Sequence, residues 1–285
     1  ALNHAMSTLS TGGFSTKNAS IAHWNDKPLI QYIITFFMIL AGTNFVLSYF
    51  AFKGKIQKVL KDEEFKTYVL NVIGISIIVA LIIYFRADVS KTSNEIQKIA
   101  HPMIYGEFES AFRHAIFQVV AIVTTTGFVS ADFTAWTPLL TIIFFFLMFF
   151  GASAGSTSGG VKFVRFIIMI KNGFLEFKRS IHPNAIIPVR FNNKSVPQDI
   201  VFNIMAFFIL YLIVFAVGAI VFGIIGLDYV TALGGAASSL GNVGPAFGNL
   251  SPVNNFNGLP PFGKWWSSFL MLLGRLELFT VIILF

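Results

Sequence analysis

Thr124-Thr125-Thr126-Gly127-Phe128 closes an apolar run, Ala111 to Val123, that is too short to cross a bilayer alone. Polar residues follow it, then a second long apolar run. A near copy, Ser10-Thr11-Gly12-Gly13-Phe14, stands earlier in the chain, and a looser one, Gly241-Asn242-Val243-Gly244-Pro245, stands later. The aligned glycines Gly13, Gly127 and Gly244 recur with a period of about 115 residues, the mark of an internal repeat.

Of the 285 residues, 55% are hydrophobic and 12% are charged. Soluble domains carry about 25% charged residues, and several segments here reach the ~20 apolar residues of a membrane-spanning helix. The fold class expected is an all-α polytopic membrane protein. The 34 Phe residues suit lipid-facing and helix-packing surfaces. A net charge of +7 does not point to nucleic acid, because the basic residues lie mainly in loops between apolar runs, where cytoplasmic positive charge is expected. There is no Cys, hence no disulfide framework. The five His have no metal-ligand spacing. No signal peptide is visible.

Outward from the opening stretch, the pattern is span, short helix, glycine motif, span. Ala1 to Ser10 reads as the end of a short helix, and Leu29 to Phe52 as a full span. Lys53 to Lys66, with five Lys against three acids, reads as a solvated link. Tyr68 to Phe85 is a second span, and Phe108 to Val123 a short helix. Pro138 opens an apolar run, a favoured place for Pro at a helix start. Ile200 to Ile225 is a long span, and Asp228 to Leu240 a short helix with an acid at its favourable N-terminus. Trp265-Trp266 fits an interfacial belt before a last span, Ser267 to Phe285. The basic links 53–66 and 171–194 each hold five Lys or Arg and are expected to be cytoplasmic, with the glycine motifs outside.

A helix that enters the membrane and stops halfway leaves carbonyls without partners, which is tolerated only beside water or buried in protein. A cation can take those carbonyls in place of its hydration shell. Glycine allows backbone conformations that a Cβ would obstruct, and Thr or Ser hydroxyls can add oxygens. No acid lies in any of the three motifs, which excludes an Asp/Glu ring.

These motifs, with Met271-Leu272-Leu273-Gly274-Arg275-Leu276-Glu277, resemble the Trk/Ktr/HKT superfamily of potassium transporters, and within it the bacterial Trk membrane subunits. The resemblance implies four span–pore helix–span repeats arranged pseudo-four-fold around a central pore, in a multi-pass protein of the bacterial inner membrane. On that reading the chain is incomplete. Residues 1–52 are the pore-helix end, filter and second span of repeat two. Residues 53–66 are a link, 67–170 are repeat three, 171–197 are a second link, and 198–285 are repeat four. The filter residues implied are Thr11, Gly12, Gly13, Thr125, Thr126, Gly127, Asn242, Val243 and Gly244. Within these, K+ is held at Thr11, Gly12, Thr125, Thr126, Asn242 and Val243. Asn242-Val243-Gly244 departs from the T-x-G pattern of the other two. The resemblance also implies a homodimer and a cytoplasmic ring of nucleotide-binding regulatory subunits, for which the two basic links offer a docking surface. Lipid surrounds the protein, and no cofactor beyond transported K+ is implied.

Gly151-Ala152-Ser153-Ala154-Gly155-Ser156-Thr157-Ser158-Gly159-Gly160 interrupts an apolar run that resumes at Val161. It is not a Walker A loop, since Val161-Lys162 stands where Lys-Ser/Thr is required. Gly151 and Gly155 have helix-packing G-x-x-x-G spacing. The composition disfavours helix, and a broken helix at midplane belongs beside a cavity. The resembled family has an intramembrane gate at this position, which implies a gate at Gly151, Ser153, Gly155, Ser156, Thr157, Ser158, Gly159 and Gly160. Arg275 lies near the centre of the last span, where a charge must face the bundle interior or water. It is expected below the filter, donating to the loop's carbonyls. Lys162, just after the loop, is a second candidate for that charge, the alternative being a residue that simply reaches the cytoplasmic interface. A gated potassium pathway is thus the function expected. A sodium- or proton-coupled symporter on the same fold is the alternative, although only Glu277 among acids and His lies within a full apolar span. An enzyme would need an acid/base or metal constellation that the sequence lacks.

Overall fold

The computed structural model describes residues 1–86, 108–182, 185 and 187–275. Three units follow one another. In the first, α1 (Leu2–Leu9) leads through the first glycine motif to α2 (Pro28–Ala41) and α3 (Phe45–Phe52). The short α4 (Ile56–Lys61) links it to the second unit, made of α5 (Glu63–Arg86), α6 (Phe108–Val123), α7 (Pro138–Leu147) and α8 (Phe163–Ile181). The third contains α9 (Gln198–Ile224), α10 (Tyr229–Gly241) and α11 (Pro261–Arg275). In each of the last two units, the long helix packs along the short one that precedes a glycine motif, α5 on α6 and α9 on α10.

Among the described residues, two helices, Glu63–Phe85 and Gln198–Ile224, are each long and apolar enough to cross a membrane. At 1.5 Å per residue they exceed the ~30 Å hydrocarbon thickness. Leu70, Ile73, Ile77 and Leu81 on α5, and Ile209, Ile213, Ile220 and Ile224 on α9, are exposed, as lipid-facing side chains must be. The short helices are the opposite. Along α6 every residue from Val119 to Val123 is buried, and along α10 so is every residue from Gly234 to Gly241. The small residues of α10 permit this: a Cβ on Gly234 would meet the Phe247 nitrogen at 2.8 Å. The starts of α7 and α10 are capped by side chains. Thr137 accepts from the N–H of Leu140 ahead of α7, and Asp228 from that of Thr231 ahead of α10.

The expected span Leu29 to Phe52 is two helices, bent by 107° at residues 42–44. The break satisfies its own backbone: Asn44 Oδ1 caps Val46, Gly42 gives its carbonyl to Ser153, and Phe45 donates to the Gly155 carbonyl. Gly42 is required by crowding, since a Cβ there would come within 2.5 Å of the Tyr68 hydroxyl. The link expected over 53–66 is less solvated than its charges suggest, because Glu64, in the first turn of α5, is 5% exposed. Only the Ser267 to Arg275 part of the last expected span lies within the described residues, and Glu277 lies outside them.

Candidate ion pathway

The three glycine motifs are three copies of one helix ending. Thr11 donates to Thr8 and Gly12 to Ser7; Thr125 donates to Ile122 and Thr126 to Ala121; Asn242 donates to Ser239 and Val243 to Ser238. This pair of bonds, one reaching back three residues and one five, is the Schellman helix stop. The first residue of each pair is left-handed, with φ of 51° at Thr11, 53° at Thr125 and 57° at Asn242. Asn takes that conformation readily, but a β-branched Thr is strained there by about 1–3 kcal/mol. Two positions on, Gly13, Gly127 and Gly244 are left-handed as well, at φ of 67°, 73° and 107°. The N–H groups are thereby used within each loop, and the negative ends of three helix dipoles converge on the following carbonyls.

The loops interlock in a fixed sense. A Cβ on Gly13 would lie 2.0 Å from the Thr126 carbonyl oxygen, and one on Gly127 would lie 2.0 Å from that of Val243. Each of these glycines is the seat of the next loop's carbonyl. A Cβ on Gly244 meets nothing nearer than Gly127 Cα at 4.0 Å, so the described loops form an arc, open after the third.

The side chains of the left-handed residues turn toward other elements. Thr11 Oγ1 donates to the Thr157 carbonyl at 2.9 Å, Thr125 Oγ1 accepts from the N–H of Gly159 at 2.7 Å, and Asn242 Nδ2 donates to the Met271 carbonyl at 2.9 Å. Thr126 Oγ1 pairs with Thr124 Oγ1 at 2.8 Å, and the Val243 side chain is buried. The hydroxyls that the sequence offers as ligands are therefore ties, and the unencumbered oxygens of these loops are main-chain carbonyls. This also accounts for the departure at Asn242, which fits the same helix stop and makes its own tie.

Residues 151–160 lie against this arc. The segment is closed at its base by a two-residue parallel bridge, Phe150 to Val161 and Gly151 to Lys162. It is not a helix surface, so the G-x-x-x-G reading of Gly151 and Gly155 falls: a Cβ on Gly151 would meet the Gly159 carbonyl at 2.2 Å, and Gly155 has φ +68° beside Asn44. Gly159 packs within Cβ reach of the Gly241 carbonyl and Asn242. Thr157 Oγ1 donates to the Leu9 carbonyl at 3.2 Å, and Ser153 donates its N–H to Gly42 at 3.0 Å. Inside the loop, Ser156 Oγ donates to the Ser153 carbonyl and Ser158 Oγ accepts from the N–H of Ala152. Glu64 Oε1 accepts from the N–H of Ala154 at 2.7 Å, so an acid of α5 holds the loop. Lys162 Nζ donates to the carbonyl and hydroxyl of Ser158.

Beside the loop is a cavity of about 280 Å³ lined by residues 155–160, Lys162, Arg165, Phe207, Gly274 and Arg275. Arg275 thus reaches the loop's neighbourhood, as its place in the sequence suggests, but the ammonium that bonds the loop is that of Lys162. Arg165 stacks over the Phe207 ring at 3.8 Å. Sequence reasoning missed Glu64, Gly42 and Asn44. Gly42-Thr43-Asn44 carried a signal, a glycine followed by a helix cap, whereas nothing separates Glu64 from Asp62 and Glu63 before the fold turns it inward. Among the described residues no group of His, Cys, Asp and Glu could hold a metal ion.

Over residues 1–285 the sequence matches TrkH, a family described as cation transport protein. The chain belongs to the TrkH family. It is 35% identical over 286 residues to the Trk system potassium uptake protein TrkH of Halomonas elongata, covering 100% of this chain and 55% of that protein. It is 32% identical to the TrkH of Escherichia coli K12, with the same coverage. The fold superposes on the crystal structure of the potassium transporter TrkH from Vibrio parahaemolyticus with a TM-score of 0.86 at 31% identity, over 99% of this chain and 57% of that one. This TrkH-family chain therefore spans about half the length of the curated relatives it matches.

Proposed function

We propose that this chain supplies most of the wall of a potassium pathway across a bacterial inner membrane, and that the 151–160 loop gates it. The observation that carries the reading is the repeated helix stop. Three short helices end in the same left-handed turn, with the N–H groups used internally and the carbonyl of one loop seated on the glycine of another. Such carbonyls can replace a cation's water shell without acidic side chains. The named relatives are potassium uptake proteins, which favours K+ as the ion and transport over any enzymatic role. On this reading K+ is dehydrated at Gly12, Thr126, Val243 and the carbonyls beside them. It then meets a loop whose ties to Thr11 and Thr125 place it directly under the filter. Arg275, in the cavity beyond, adds a positive charge that opposes cation passage while the loop is in place.

As in the resembled family, the assembly proposed is a homodimer with one pore per protomer, regulated by a cytoplasmic nucleotide-binding ring docked on the basic links 53–66 and 171–194. The decisive experiment uses the full-length protein in vesicles with K+ inside and Na+ outside. Uptake of a K+ tracer that needs no co-ion gradient supports a channel-like pathway. Uptake that stops when Na+ and proton gradients are removed would establish the coupled symporter instead.

A further inference from the structure

The cytoplasmic half of α8 carries a second feature that the ion pathway does not use. Lys171, Phe174, Leu175 and Lys178 lie on one side of the helix and face Ile187, Pro188 and Arg190 across a cavity of about 530 Å³. The walls are fixed: Arg179 donates twice to the Ile187 carbonyl, at 3.2 and 2.8 Å, and Lys171 Nζ donates to the Arg190 carbonyl at 2.9 Å. Lys171 is also paired with Glu63, so its charge is largely balanced. Lys178 and Arg190 are exposed, and among the described residues neither is in a salt bridge. The site thus has an apolar floor and two uncompensated cations at its rim.

Its depth follows from the helices. The ten residues of α7 cover about 15 Å, half of a ~30 Å hydrocarbon layer, and bring the chain to the 151–160 loop near midplane. About ten residues of α8 then cross the other half, which puts Lys171 to Lys178 at the headgroup level. Along a neighbouring face, Ile170, Phe174, Phe177 and Ile181 are exposed at spacings of four, three and four, 57% to 71% each. That is an apolar stripe that starts at the acyl level at Ile170 and leads out into the groove.

We propose that this groove binds the headgroup of an anionic phospholipid of the cytoplasmic leaflet, its phosphate between Lys178 and Arg190 and its chains running back past Phe174 and Ile170 into the hydrocarbon. The inference rests on the membrane orientation proposed above. A protein surface would match the charges but not the apolar floor and stripe at this depth; basic pockets beside membrane helices at the cytoplasmic face suit lipid phosphates.

The test is native mass spectrometry of the full-length protein in mild detergent, offered equal phosphatidylglycerol and phosphatidylcholine. Wild type retains phosphatidylglycerol selectively, and K178Q/R190Q loses about tenfold or more of that retention, each cation near the surface being worth roughly a factor of five, while K178R/R190K keeps it. Equal retention of the two lipids by wild type overturns the proposal. So does unchanged retention by K178Q/R190Q, or a variant that loses only binding of a cytoplasmic protein. K+ tracer uptake by the same preparations separates the two readings: failed K+ selectivity with lipid retention intact removes the filter reading and leaves this site standing.

Discussion

The glycine motifs and the 151–160 loop are both irregular backbone at membrane depth, rich in Gly, Ser and Thr, yet they are stabilised in opposite ways. Each motif satisfies its own N–H groups by bonding back into the helix it ends, so its geometry is built into the local chain. The 151–160 loop is held mostly from outside, by Glu64, Gly42, Thr11, Thr125 and Lys162. A self-capped turn is rigid wherever its helix is rigid. A loop tied by partners is released when those partners move. Composition alone does not separate the proposed filter from the proposed gate; the location of the hydrogen-bond partners distinguishes the two regions.

The comparison can be broken most directly at Gly127. Gly127→Ser puts a side chain where the Val243 carbonyl sits and forces it to φ +73°. We expect K+ tracer uptake to fall about a hundredfold, roughly 2.7 kcal/mol, with K+ preference over Na+ lost; retained selectivity would show that the motif is not the filter. Deleting residues 151–160 should do the reverse and raise K+ flux by about tenfold or more. A flux no higher than wild type in correctly inserted protein removes the loop from gating. Glu64→Ala leaves the part-buried N–H of Ala154 without its carboxylate partner, at about 1–3 kcal/mol, so the closed loop should weaken and resting flux should rise about tenfold, with Glu64→Gln closer to wild type. Thr125→Val removes one acceptor, that for Gly159. Its effect on resting flux should be about fivefold, with selectivity kept, since the carbonyls are untouched.

The smallest effect expected is at a cap remote from both regions. Asp228→Ala should lower thermal stability by about 1 kcal/mol or less without changing selectivity. Hydrogen bonds from Thr231 hold the Asp228 carboxyl below its ordinary value. Its stabilising contribution is therefore present in full above the ordinary Asp range, near pH 4, and is lost as pH falls through the lowered folded value. A melting temperature that rises on acidification through that range would contradict the sign.

The helix stops of the candidate pathway were legible in the sequence because their physics is local. Thr125-Thr126-Gly127 and Asn242-Val243-Gly244 end their helices with local bonds and left-handed residues, and α6 and α10 are too short to span. The break at 151–160 was legible too, since those ten residues favour no helix. What could not be read was pairing between units. Glu64 belongs to a charged link by sequence and to the underside of the loop by structure. The hydroxyls of Thr11 and Thr125 look like ligands until the elements packed beneath them are known. Leu29 to Phe52 is apolar apart from Gln31, Thr35, Gly42-Thr43-Asn44 and Ser48, and the crowding of Gly42 by Tyr68, Thr124 and Ala152 shows why a glycine stands where the chain turns.

The seating of Thr126 on Gly13, and of Val243 on Gly127, gives the arc a handedness. Each glycine bears on the loop that follows it in the chain. A lesion at Gly13 is transmitted first to the second loop, and one at Gly127 first to the third. Identical substitutions at the two positions are therefore different experiments, each reporting on its downstream neighbour, and signals from labels placed on successive loops should arrive in the order of the sequence.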